Sequence, residues 1–207
     1  MMTIGRLTTR RGARRPGGAG ARRAAAAALS LFLASCASAP TFDSFDLAPA
    51  RPAPARPLRG QLRVVEPIAS TSLDSDQILV RSGPEQIATL AGARWAAALP
   101  ILIQTRLTQT FENAGLLGEV SRRTSTSADY ELDVEIRKFE LNAASSQVEV
   151  DLAVKIISAS DGRTVAAQAF AASAPAAAAG GREVSAALDG ALSTVMTRIV
   201  AFVAARI

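Results

Sequence analysis

The chain has 207 residues with 23 Lys and Arg against 18 Asp and Glu, no His and one Cys. The absence of His excludes His-based catalytic triads, His metal clusters and the usual neutral-pH proton shuttle. A single Cys excludes an internal disulfide, and the formal charge of +5 sits so unevenly that it does not by itself point to a nucleic-acid partner.

Residues 1–23 hold Arg6, Arg10, Arg11, Arg14, Arg15, Arg22 and Arg23 and no acid, and residues 24–33 are apolar apart from Ser30. A basic stretch followed by a short apolar run is the pattern of a secretory signal. The run is about half of the roughly 20 residues a spanning helix needs. It leads into Leu33-Ala34-Ser35-Cys36, which resembles the lipobox of bacterial lipoproteins. The resemblance implies that Cys36 takes a thioether-linked diacylglycerol and becomes the first residue of the mature protein. Ala37, in place of Asp, favours sorting to the outer membrane on the same resemblance. With the seven arginines removed, 16 basic residues face 18 acids, and the net charge becomes about −2. The expected organisation is a cleaved signal over 1–35, a lipidated N-terminus and Ala/Pro-rich tether over 36–60, and a periplasmic domain over 61–207.

"FDSFDLAP" at 42–49 has Phe45 and Leu47 on one side and Asp46 on the other, enough for a short edge strand. "APARPAPARP" at 48–57 has four prolines, which favour extended backbone and predict a semi-rigid spacer. "QLRVV" at 61–65 predicts a strand stopped by Pro67, and Ile78 and Val80 predict a second within "LDSDQILVRSG". Over 94–114, Trp95, Leu99, Leu102, Ile103, Leu107, Phe111 and Ala114 recur at helical spacing, with Pro100 starting or kinking the helix and Gly115 ending it. Tyr130, Leu132, Val134 and Ile136 alternate with Glu131, Asp133, Glu135 and Arg137; the parity then shifts at Lys138, predicting a bulge. A second alternating strand spans 146–160, Asp161-Gly162 predicts a turn, and "RTVAAQAF" a third strand. Residues 171–181 read as a connection. Val184, Leu188, Leu192, Val195, Ile199 and Phe202 then form one stripe of a final helix over 182–206. The expectation is an α+β domain: a mainly antiparallel sheet with two helices packed on one face, ordered roughly β-β-α-β-β-β-α.

No GxxxxGK[ST] phosphate loop and no GxSxG elbow occurs. The remaining acid–base candidates are carboxylates: Asp74 with Asp76, and Glu131, Asp133 and Glu135 on one strand face. The polar run "RRTSTSADY" at 122–130 reads as a strand connection or a ligand loop. A solvated charged face accounts for these acids more simply than catalysis, no cofactor or metal is expected, and the chain is read as a non-enzyme.

The run from 62 to 99 resembles the ABC-type transport auxiliary lipoproteins, the group that includes the paraquat-inducible C-type lipoproteins. The matching positions are Val64, Val65 and Pro67, then Leu73 and Asp74, then Gln77, Ile78 and Arg81, and finally Trp95 and Leu99, with Trp95 placed at the head of the first helix. The resemblance implies an auxiliary subunit of a trans-envelope lipid transport system. Its partners would be a mammalian-cell-entry domain protein and an ABC permease and ATPase, and it would sit at the outer membrane, facing the periplasm. Docking by strand addition at an exposed sheet edge, and self-assembly into a homo-oligomer, are the contacts it suggests. Asp74 and Arg81 are open to a structural ion pair or an interface role, and Trp95 to a core anchor or a partner contact. The competing classes are a structural or assembly lipoprotein for an outer-membrane protein and a direct lipid carrier.

Overall fold

A computed structural model describes residues 41–116, 120–122 and 127–207. Cys36, the segments before it and residues 123–126 of the polar 122–130 run lie outside the described residues. The elements are β1 (Asp43–Phe45), β2 (Leu62–Val64), β3 (Ile68–Ala69), β4 (Gln77–Arg81), β5 (Ile87–Trp95), α1 (Leu99–Phe111), β6 (Val120–Ser121), β7 (Tyr130–Asn142), β8 (Gln147–Ser158), β9 (Thr164–Pro175) and α2 (Gly181–Ala204).

β7 is the axis of the fold. On one side it pairs antiparallel with β8 from Tyr130↔Ser158 to Asn142↔Gln147, and β8 pairs in turn with β9. On the other side β2, β3 and β4 lie end to end, each parallel to β7: Leu62 opposite Tyr130, Ile68 opposite Glu135, Leu79 opposite Glu140. β5 extends this side antiparallel to β4, and β1 is parallel to β5. The class is α+β as expected, but the sheet is mixed rather than mainly antiparallel. The cause is α1, which lies between β2–β4 and β7 in the chain. The chain reverses once between β4 and β5 and again through α1 before β7, and two reversals return it to the direction of β2, β3 and β4.

The predicted order also gains strands: five precede α1, and β6 follows it. β3 and β6 have two residues each, too few for an alternating pattern. β5 is a correction of a different kind. Trp95 ends this strand rather than heading the helix, which begins at Leu99. The Ala- and Gly-rich run before Trp95 gives little β signal. Gly92, at φ +70°, falls inside a register break where Gln77 faces Arg94 but Leu79 faces Thr89, a conformation glycine adopts at low cost. Pro100 stands in the first turn of α1, where its missing N–H has no intrahelical partner to lose. Beyond Phe111 the chain unwinds through Glu112–Leu116, with Gly115 at φ +92°.

The bulge expected at Lys138 is present between Ile136 and Lys138. It keeps Leu132, Val134 and Ile136 on the buried face and then returns Phe139 and Leu141 to that face. Val148, Val150, Leu152, Val154 and Ile156 of β8 line the same side. α2 covers β8 and β9, α1 covers β2 and β6, and the helices touch each other. Every residue of the predicted α2 stripe is buried. Trp95 meets Phe139 edge-on at 5.6 Å, and Phe170 meets Phe202 at 5.5 Å, the offset geometry favoured by aromatic quadrupoles. β9 continues to Pro175, so the first part of the expected 171–181 connection is strand.

Residues 46–58 form an extended strap over the helices. Arg106 of α1 bonds to Asp46, the Ala48 N–H donates to Asp189 Oδ1 of α2 (2.7 Å), and the Ala50 N–H donates to Thr110 Oγ1 (3.0 Å). Asn113 Nδ2 donates to the Ala50 carbonyl (2.8 Å), and the Ala55 N–H to the Ala114 carbonyl (2.8 Å). Leu47, Ala50 and Leu58 are buried. The prolines therefore fix a straight path on the protein surface, since extended backbone without N–H donors needs neighbouring groups to satisfy its carbonyls.

Candidate functional site

The three residues singled out beside Cys36 do not converge. Asp74 lies in the turn before β4, exposed, with its N–H donating to the Ser70 carbonyl (2.8 Å). Trp95 is 1% exposed, enclosed in the core at the end of β5. Arg81 is the last residue of β4, and its guanidinium grips Glu140 of β7 in a bidentate pair, Nε to Oε1 at 2.5 Å and Nη2 to Oε2 at 3.0 Å. The ion partner of Arg81 is thus Glu140, 59 positions along the chain, rather than Asp74.

Around this pair the outer face of the sheet is a closed charge network. Glu140 and Glu149 are direct cross-strand neighbours, an arrangement of like charges that is destabilising unless cations intervene. Arg81 holds Glu140, while Lys138 Nζ donates to Glu149 Oε2 (2.8 Å) and Asn142 Nδ2 to Glu149 Oε1 (3.0 Å). Hydrogen bonds from Lys138 and then Asn142 hold the Glu149 carboxyl below its ordinary pKa. The bond to Glu140 pushes Arg81 up, and that to Glu149 pushes Lys138 up. Each side chain in the network stabilises the charged form of its neighbour, the reverse of what a general acid or base at neutral pH requires.

Two of the three acids of the lower half of β7 are similarly engaged. Glu131 pairs with Arg63, and Glu135 with Arg137. Asp133, partly buried and near the Glu131 charge, is pushed up, with Lys155 opposing the shift. It borders a depression of 190 Å³ with Val65, Ile68 and Lys155. Asp76 bonds to Gln77 and faces Arg94 at 3.7 Å. Among the described residues, no group of three His, Cys, Asp or Glu is placed to hold a metal ion. Beyond these charges the sheet offers an open edge.

The edge is β9. Among the described residues it pairs only with β8, runs for 12 residues, and contains no charged side chain and six alanines. The bond from the Ala176 N–H to the Ser146 carbonyl (3.0 Å) fixes the phase of the ladder. Val148↔Ala174, Val150↔Ala172 and Leu152↔Phe170 are then the hydrogen-bonded pairs. The backbone groups of Ala167, Ala169, Ala171 and Ser173 therefore face away from β8. Arg198 of α2 reaches this row, donating to the Ala171 carbonyl (2.9 Å). Native sheets protect open edges with short strands, charges or Pro. β1 has three residues and begins with Asp43, and β6 has two, whereas β9 has Arg198 and the terminal Pro175. Sequence reading missed this edge because its alanines carry no amphipathic signal; the absence of charge over 164–175 was the cue available.

Comparison with known proteins places this geometry. A protein of Bradyrhizobium diazoefficiens, the uncharacterized protein bll6063, is 31% identical over 117 residues, covering 55% of this chain and 31% of that one. The chain thus matches less than a third of that relative's length. The crystal structure of XCC0632 from Xanthomonas campestris, of the DUF330 family, superposes with a TM-score of 0.68 at 29% identity, over 81% of this chain and 93% of that one. A second crystal structure, of an uncharacterized protein, has a TM-score of 0.64 at 15% identity, over 79% and 99% of the two chains, and shares the fold. The model of the ABC-type transport auxiliary lipoprotein component matches residues 44–200, from β1 into the last turns of α2, and the chain belongs to that family.

Proposed function

We propose that this chain is a lipoprotein anchored through Cys36 to the outer membrane. There it serves as a non-enzymatic subunit of a lipid transporter that pairs an ABC permease and ATPase with a mammalian-cell-entry domain protein. The domain docks on the mammalian-cell-entry partner by adding a strand of that partner to β9. The observation that carries the docking is the open β9 edge, guarded among the described residues only by Arg198 and the terminal Pro175, where four residues turn their N–H groups outward and small side chains leave room for a neighbouring backbone. The charge network on the outer face agrees with a binding subunit, since its carboxylates are occupied by cations.

A photo-crosslinking residue at Ala169 in the full chain, expressed in its native cells, is the test. The expected product is a covalent adduct with the mammalian-cell-entry protein that is lost in Ala171→Lys, whose charge guards the edge while leaving the buried face untouched. An adduct only with an outer-membrane barrel would support the assembly-lipoprotein reading instead. Crosslinking unchanged by Ala171→Lys would remove β9 as the docking edge.

A further inference from the structure

The strap carries Arg51 between Pro49 and Pro52 and Arg56 between Pro54 and Pro57, and Arg59 follows just beyond it. Residues 52–56 lie along the C-terminal half of α2, where they border a depression of 290 Å³ with Thr197, Val200 and Ala201. Next to it Arg56, Pro57, Arg59 and residues 204–207 line a cleft of 350 Å³. Three of its lining residues are arginines, Arg56, Arg59 and Arg206, and none is acidic.

Apart from Lys155 and Arg182, the other cations among the described residues are engaged by a partner. Arg63, Arg81, Arg94, Arg106, Arg137, Lys138 and Arg163 each pair with a carboxylate. Arg122 bonds to Thr105 and Arg198 to the Ala171 carbonyl. Among the described residues, Arg51, Arg56 and Arg59 have no ion pair or side-chain hydrogen bond, and Arg206 only stacks on the Phe202 ring at 5.0 Å. The C-terminal end of α2 supplies about half a negative charge at this site and the Ile207 main-chain carboxylate one more, together less than the charge of the three guanidinium groups. Pro54 and Pro57 hold Arg56 on a restricted backbone, and Arg59 follows the buried Leu58, so binding an anion there orders little that is not already ordered. Planar guanidinium forks match the paired oxygens of a phosphate.

We propose that the Arg56–Arg59–Arg206 cleft binds the phosphate of anionic phospholipid headgroups, with Arg51 adding a contact on the same strap. A lipid surface is the favoured source because Arg51 lies 15 residues after Cys36, a span of at most about 50 Å even when fully extended; this choice rests on the anchor reading above. The contact would hold the C-terminal end of α2 toward the membrane.

The test uses the full chain with Cys36→Ser, so that no acyl chain contributes to binding. Partition is measured onto phosphatidylcholine vesicles with and without phosphatidylglycerol, for this protein and for the same protein carrying Arg56→Gln and Arg59→Gln. Each arginine near an anionic surface contributes about fivefold in partition, so the pair should lose about 25-fold on phosphatidylglycerol vesicles and nothing on phosphatidylcholine. The basic N-terminal segment is common to both proteins, so the ratio isolates the cleft, and matched thermal unfolding curves confirm that both are folded. Equal partition of the two proteins overturns the proposal. Displacement from the vesicles by millimolar inorganic phosphate with no salt-matched effect of chloride overturns the lipid source in favour of a free phosphate. Mass spectrometry of the native membrane-derived protein tests lipidation of Cys36 separately, so failure of the anchor and failure of the cleft are distinguishable.

Discussion

The two edges of β7 are built in opposite ways. Along one it meets a single partner, β8, through a hairpin whose turn spans residues 143–146; along the other it meets β2, β3 and β4 in succession, none longer than five residues. The hairpin edge is held by contacts close in sequence, which cost little chain entropy to form. The composite edge closes loops of about 60 residues and depends on side chains that bridge the gaps. Trp95 against Phe139, Arg81 on Glu140 and Arg63 on Glu131 are such bridges.

Three measurements would break or sharpen that contrast. The largest effect is expected from Trp95→Ala, which removes a fully enclosed indole from the composite side and should cost about 3–5 kcal/mol in denaturant unfolding. A loss under 1 kcal/mol would show that β5 and β4 are not stapled to β7 through this pair. Next, Arg81→Met leaves Glu140, 3% exposed, without its cation and should cost about 2 kcal/mol. Arg81→Met with Glu140→Leu should recover most of the loss, because replacing both members of a buried pair removes the uncompensated charge. A double mutant as unstable as the single would mean that Arg81 acts by packing alone. The smallest effect concerns the hairpin edge and pH. Because Glu149 is held below its ordinary value of 4.5, its contribution to stability is complete above pH 4.5 and lost as pH falls through the lowered value. Glu149→Gln should therefore flatten the acid limb of a stability–pH curve by lowering the neutral plateau while leaving the acid extreme nearly unchanged, and an unaltered acid limb would contradict the Lys138–Glu149 linkage.

The same contrast explains what the sequence could disclose. β7, β8 and α2 were legible because their signals are local: strict alternation, a parity shift at Lys138, and apolar residues every three or four positions. The parallel pairing of β2, β3 and β4 was not, since nothing in two to five residues specifies a partner some 60 positions away. Trp95 was drawn to the helix because its spacing to Leu99 suits a helical face as well as a strand end. At the candidate site the residues carried by resemblance separated into a core anchor, an ion pair and an exposed turn. Glu140 passed unnoticed because one more outward acid on β7 looks like solvated surface until Arg81 is placed beside it. The β9 edge was hidden by composition, as an alanine-rich strand and an alanine-rich linker look alike without their neighbours.

The strap over 46–58 has a mechanical consequence. A pull applied from the N-terminal side of Thr41 does not arrive directly at the sheet around β7. It meets β1 on β5 first, and then Leu47, Ala50 and a row of backbone and side-chain bonds anchored on both α1 and α2. Such a row can yield one contact at a time, so under the Cys36 anchor proposed above the strap would take the load before the body behind it, as a fuse does.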